Sequence, residues 1–227
     1  MTEFRRYAIY YVPEPGPLAD FGASWLGWDL AKGAAVGHPD LADVDVAQVT
    51  QTPRKYGLHG TIKPPFRLAE GVEFAQFQTA ARGLCKRTAP VRLEGLELTR
   101  LGGFLALTAL GDLTELNALA GQTVTQLDAF RAPLNESELE RRRKSRLTER
   151  QEALLTAWGY PYVQEEFRFH ITLTGRMPRA EAAALRDRLL PLLSPLLPVP
   201  FEVQSLCLVG EDAAGMFHLI ERLPLLG

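Results

Sequence analysis

A strict alternation runs through FRFHITLT, residues 167–174. Phe167, Phe169, Ile171 and Leu173 are apolar, and Arg168, His170, Thr172 and Thr174 are polar. Side chains alternate across a strand, so the polar four share one face and the apolar four the other. YGLHGTIKPPF, residues 56–66, reads similarly: Gly57, His59, Thr61 and Lys63 share a face opposite Leu58, Gly60 and Ile62, and two prolines close the strand. Other strands are predicted at RYAIYYV (6–12), at VRLEGLELTRLGGFLALTAL as two strands hinged at Gly102-Gly103, and at FEVQSLCLVG and MFHLIERL. Helical spacing appears from Leu18 through Trp28 with a stop at Gly33, from Glu73 to Arg87, from 113 to 130, and from Arg179 to Leu190. NESE (135–138) and TERQ (148–151) are capping-box patterns that open two further helices, the second stopping at Gly159. Residues 37–55 are polar and irregular, a predicted loop.

This order repeats. Each half of the chain runs strand, helix, histidine strand, helix, strand, strand. FLALTAL ends the first unit and also takes the place in the second that RYAIYYV takes in the first. The expected architecture is α+β, a duplicated two-lobed fold with antiparallel sheets lining a central cleft and helices outside. Residues 1–110 form the first half, and 111–227 the second, with a helical insertion at about 135–158. Together they make one structural domain.

Each histidine strand presents His-x-Thr on its polar side, and two of the four histidines in the chain fall in this matched setting. One such strand alone reads as an ordinary half-buried strand facing water. Two in corresponding places of a repeat point to a site, because a pseudo-twofold would let both polar faces meet. Imidazole titrates near neutrality and can take or give a proton at working pH. Two imidazoles flanking a phosphorus can divide an in-line displacement: one takes a proton from the attacking water, the other protonates the leaving oxygen. Thr61 and Thr172 can donate hydrogen bonds to the non-bridging oxygens. Lys63, Arg168 and Thr174 share the same faces and are candidate substrate contacts, as are Tyr56, Arg54 and Arg143 nearby. No Cys or Asp stands at ligand spacing from the histidines, so neither a metal nor another cofactor is expected.

His-x-Thr on two strands of a duplicated α+β chain resembles the two-histidine (2H) phosphoesterase superfamily. RKYGLHGTIKPPFRLAEG (54–71), LGGFLAL (101–107) and the stretch from Phe130 to Met177 resemble its bacterial phosphonate-metabolism-associated branch. The resemblance implies two lobes around a cleft, with His59, Thr61, His170 and Thr172 as the catalytic set. The branch commonly has alanine after the first histidine, where this chain has Gly60; glycine should loosen the strand there. The expected activity is metal-independent hydrolysis of a small cyclic phosphodiester, nucleotide- or sugar-derived, with a bell-shaped pH profile near neutrality. An RNA end is a further candidate ligand. The alternative is a non-catalytic protein that binds RNA ends or a phosphorylated metabolite in the same cleft.

Charge adds a limit. The formal net charge is −2 over 227 residues, which gives no footprint for duplex DNA or an anionic membrane, so any anion site must be local. The basic run Arg141, Arg142, Arg143, Lys144 and Arg146 reads first as a solvated helix face with Glu138–Arg142 and Glu140–Lys144 pairs. Its position between the two motifs also suits a phosphate contact. Cys85 and Cys207 sit among apolar neighbours and read as buried thiols. With no signal-peptide pattern before the first prolines, a cytoplasmic protein is expected.

Overall fold

The computed structural model describes residues 4–227, so the first three residues of the first half lie outside it. The fold is α+β. In chain order the strands are β1 (Arg6–Tyr11), β2 (Trp28–Asp29), β3 (Ala34–Ala35), β4 (Gly60–Phe66), β5 (Val91–Leu93), β6 (Gly95–Leu101), β7 (Phe104–Leu110), β8 (His170–Thr172), β9 (Phe201–Val203), β10 (Ser205–Glu211) and β11 (Phe217–Pro224). The helices are α1 (Pro17–Leu26), α2 (Val46–Val49), α3 (Gln51–Arg54), α4 (Phe74–Lys86), α5 (Thr114–Gln126), α6 (Glu136–Arg143), α7 (Glu149–Trp158) and α8 (Arg179–Leu193).

Seven strands form one antiparallel sheet in the order β11-β10-β1-β4-β8-β7-β6. The two histidine strands are hydrogen-bonded neighbours at its centre. Outward from that seam, β1 borders β4 as β7 borders β8, the equivalence that the repeat predicts. A cut at residue 110 therefore divides the chain and not the sheet. The β6–β7 hairpin joins β8 of the second half, and the β10–β11 hairpin joins β1 of the first.

Alternation explains the main core. Ile9, Tyr11, Ile62, Leu105, Leu107, Ile171 and Leu173 point to one face, where they meet Phe77 and Leu84 of α4, Leu116 of α5, and Leu185 and Leu189 of α8. Each such side chain contributes on the order of 1.5–3 kcal/mol by leaving water. A smaller cluster of Ala8, Tyr10, Val12, Cys207, Val209 and Phe217 lies on the other face of the first half.

Several boundaries differ from expectation. α1 stops at Leu26, not near Gly33, because Gly27 takes the left-handed conformation (φ 76°) and its N–H closes on Ala23. The predicted loop contains α2 and α3, with Asp45 capping α2 through the Gln48 N–H. In FRFHITLT only His170–Thr172 joins the ladder. Asn135 and Thr148 form both predicted capping boxes, and α7 ends at left-handed Gly159.

Candidate functional site

β4 and β8 pair through Gly60 and Ile171. Continuing that register one residue each way places Thr61 across from His170, and His59 across from Thr172. Directly opposed residues of an antiparallel pair share a face, so all four side chains lie together. The pair Gly60–Ile171 is the local pseudo-twofold. The two histidines are diagonal neighbours, a relation that sets them roughly 7–8 Å apart across a strand pair.

Both imidazoles are held the same way. His59 Nδ1 lies 3.0 Å from the Gly57 carbonyl oxygen, and His170 Nδ1 lies 2.8 Å from that of Arg168. A carbonyl only accepts, so each Nδ1 carries the proton and each Nε2 is left for chemistry. His59 Nε2 stands 3.1 Å from the Thr61 hydroxyl, which donates to it when the ring is neutral. The surroundings then differ. Tyr10 stacks on His59 at 4.0 Å between centroids, and Tyr56 leans on it at 5.6 Å. Burial among these rings pulls His59 down to about 4, and the neighbouring His170 acts in the same direction. Both rings keep part of their surface open, and His170 has Phe104 at 5.8 Å in place of the two tyrosines.

A cavity of about 330 Å³ opens on this face. His59, Thr61 and Thr172 line it, and Phe104 carries the wall towards His170. Tyr10, Tyr56 and Tyr160 line it as well, with Arg6, Arg142 and Arg176; no carboxylate is among the lining residues. Burial raises Tyr10 and Tyr160 above the ordinary phenol range, so both are neutral donors at pH 7. Among the described residues, no three His, Cys, Asp or Glu side chains converge as metal ligands would.

Tyr56 and Thr174 are in the cavity lining, and the other predicted contacts lie elsewhere. Lys63 does not face the site. Pro64 and Pro65 have no N–H for the ladder, and the β1–β4 register slips between Tyr10–Thr61 and Ile9–Lys63. This bulge turns Lys63 onto the face of Ile9, where it is 2% exposed. Its ammonium donates to the Val124 carbonyl at 3.1 Å and pairs with Asp128 at 3.4 Å. Arg54 is engaged with backbone: it donates to Leu26 O at 3.2 Å and to Ala47 O, tying α1 and α2. Arg143 braces α6 to α7 through Glu152 at 2.9 Å. Arg168 donates to the Glu165 and Phe167 carbonyls, so its main chain, not its guanidinium, serves the site. Thr174 reaches the cavity edge, but its hydroxyl accepts from Leu105 N–H at 3.0 Å and donates to Gly175 O.

Arg6, Tyr10, Thr52, Phe104 and Arg176 are lining residues that pattern reading did not single out as site contacts, and Arg142 is the lining member of the basic run whose position suits a phosphate contact. Tyr10 and Arg6 were legible in part: they alternate with Ile9 and Tyr7 on a strand equivalent to FLALTAL. Arg142 was hidden within a basic run whose other members are exposed. The expected Glu138–Arg142 pair does not form. Glu138 bonds Arg67 at 3.0 Å, and Arg142 lies over the Tyr160 ring at 4.5 Å.

A model of the family described as "Protein of unknown function (DUF1045)" matches residues 61–218, and the chain belongs to that family. It is 36% identical over 231 residues to a protein of Janthinobacterium sp. (strain Marseille) named ribose 1,5-bisphosphate phosphokinase PhnN; the match covers 98% of this chain and 51% of that protein. A protein of the same name from Laribacter hongkongensis (strain HLHK9) is 32% identical over 219 residues, with 96% and 51% covered. The chain thus spans about half the length of these relatives. Among solved structures it resembles TT0787 of Thermus thermophilus (TM-score 0.49, 17% identity, 98% of each chain). It also resembles a structure described as a phosphoesterase (TM-score 0.44, 15% identity, 99% of this chain and 100% of the other). Among the described residues, no helix is long and apolar enough to cross a membrane.

Proposed function

We propose that this protein is a two-histidine phosphoesterase that hydrolyses a small cyclic phosphodiester of a pentose or nucleoside. The Gly60–Ile171 register carries the reading, because it sets two His-Thr pairs on adjacent central strands around a pseudo-twofold. The relatives' name, which refers to ribose 1,5-bisphosphate, supports a phosphorylated pentose as the substrate class, and the resemblance of residues 54–71 and 130–177 to the phosphonate-associated branch supports a link to phosphonate metabolism.

The diester lies between the two Nε2 atoms. His59 is neutral at pH 7, and its Nε2 takes a proton from the attacking water. The water oxygen bonds to phosphorus as the ring P–O bond breaks, and protonated His170 gives its Nε2 proton to the leaving oxygen. The product is a phosphomonoester with a new hydroxyl, and exchange with solvent restores both histidines. When the diester binds, the Thr61 hydroxyl turns from His59 Nε2 to a non-bridging oxygen, which frees Nε2 for the water, and Thr172 donates to the other, where charge develops.

The test is a panel of cyclic ribose and nucleoside phosphates with product analysis. His59→Ala and His170→Ala should each lower kcat by about 10²–10⁴-fold with the fold retained by circular dichroism. Burial of His59 moves the acid limb of kcat/KM for the free protein from near neutrality to about 4. Full activity in both alanine variants removes the reading.

A further inference from the structure

We infer that the ligand of this cavity carries a second, separate phosphate, and that Arg142 of the helical insertion is the residue that selects it. This rests on the phosphoesterase reading for the position of the first phosphate. A cyclic diester bears one negative charge, and its two free oxygens are met by the His-Thr cluster. The cavity offers more positive charge than that. Three guanidiniums line it with no lining carboxylate, in a chain whose formal net charge is −2. Arg6 is largely compensated, because it is held by Glu211 through two hydrogen bonds from behind the wall. Arg142 is not compensated in this way.

Arg142 is also placed for the task. Within the basic run 141–146 it is the one half-buried member; its neighbours in the run are exposed. Its guanidinium lies over the Tyr160 ring at 4.5 Å, and a fork of five N–H donors has more of them than one ring neighbour engages. The fold sets this point apart from the diester. Beyond Thr61, β4 runs to Pro64 and Pro65, which line the cavity, and Arg6, also in the lining, opens β1 beside it. Arg142, over Tyr160 and with Arg6 in the same cavity lining, is thus the centre of a second anion subsite beside the His-Thr cluster. A phosphomonoester, with a charge of about −1.5 to −2 at neutral pH, matches the uncompensated charge there.

Adenosine 2′,3′-cyclic phosphate with and without a 5′-phosphate is the discriminating pair of probes. Calorimetric affinity and turnover are measured for the full chain, for Arg142→Ala, and for Arg141→Ala as an exposed control on the same helix. The wild type and the control should bind the 5′-phosphorylated compound about 10–100-fold more tightly, the range of a charge-assisted contact, and Arg142→Ala should bring the two within about threefold. Arg142→Lys should recover only part of the preference, because it keeps the charge without the planar fork. Equal wild-type affinity for the two compounds, no affinity for either, or a preference that survives Arg142→Ala overturns the inference. A preference that Arg142→Ala erases upholds it, even if neither compound is hydrolysed; that last result counts against the phosphoesterase reading alone.

Discussion

The two halves of the site share one plan and differ in their surroundings. In both, a histidine is pinned through Nδ1 by the carbonyl two residues earlier, and a threonine follows two residues later. In the first half, Thr61 pairs across the ladder with Tyr10; in the second, Thr172 pairs with Ala106. That one difference sets which ring covers each histidine. Tyr10 lies on the His59 ring and joins Tyr56 and Phe217 in a small aromatic core. His170 has no such roof. A duplicated backbone has thus set one imidazole under an aromatic roof and left the other without one, an asymmetry that the proposed mechanism uses.

Tyr10→Ala copies the second half onto the first and should break the inequality. Truncating a large buried aromatic costs about 3–5 kcal/mol, read as a lower midpoint in urea. The more specific effect is on His59, whose titration by NMR should rise from about 4 towards the ordinary value of 6.5. The sign of the linked stability follows. Between pH 6.5 and 4 the unfolded chain holds the proton on residue 59 and the folded chain does not, so wild-type stability falls as pH drops through that window. Below 4 this group adds no further loss. In Tyr10→Ala that slope should flatten. An unchanged His59 titration would mean that the roof is not what holds the ring neutral.

The seam between the halves offers a second, smaller lever. A Cβ built at Gly60 would stand 2.5 Å from the Phe169 ring, which is itself buried. Glycine here does more than loosen a strand. It lets an aromatic of the second half close over the first at the point where the two are joined by one ladder pair. Gly60→Ala should therefore destabilise by about 1–3 kcal/mol through overpacking, and it should lower activity by shifting both motifs at once. A variant as stable as wild type would show that Phe169 can step aside without cost.

Much of this was legible in the order of residues. The alternation of FRFHITLT, the matching YGLHGTIKPPF, both capping boxes and the double role of FLALTAL all reappear in the fold, because each depends on local periodicity. What the pattern could not carry was where guanidiniums and ammoniums end. Arg54, Arg143 and Arg168 have long arms that settle on backbone carbonyls or a neighbouring Glu152, and no spacing rule records those partners. The return of the β10–β11 hairpin to β1 of the first half was hidden for a similar reason: strand order is a long-range property. Lys63 was missed on a signal that was present. Two prolines in a strand that pairs with β1 cannot donate to its ladder, which favours a bulge, and a bulge reverses the faces beyond it.

Lys63 therefore supplies the mildest test, with Arg142 as its counterpart. Lys63→Met keeps the length of the side chain and removes a charge buried near Asp128, which retains Arg131 at 2.8 Å. Replacing a buried ion by a fitted apolar group is often neutral or stabilising, so the midpoint in urea at pH 7 should move by less than about 1 kcal/mol or rise. Burial holds the Lys63 ammonium down to about 8, against an ordinary value of 10.5. Between those values the unfolded chain keeps a proton that the folded chain has released, so wild-type stability gains from this group as pH rises from 8 to 10.5. Lys63→Met should lose that gain, and its kcat and KM should match wild type. A raised KM would place Lys63 on the substrate after all, and the bulge would then have to relax when ligand binds.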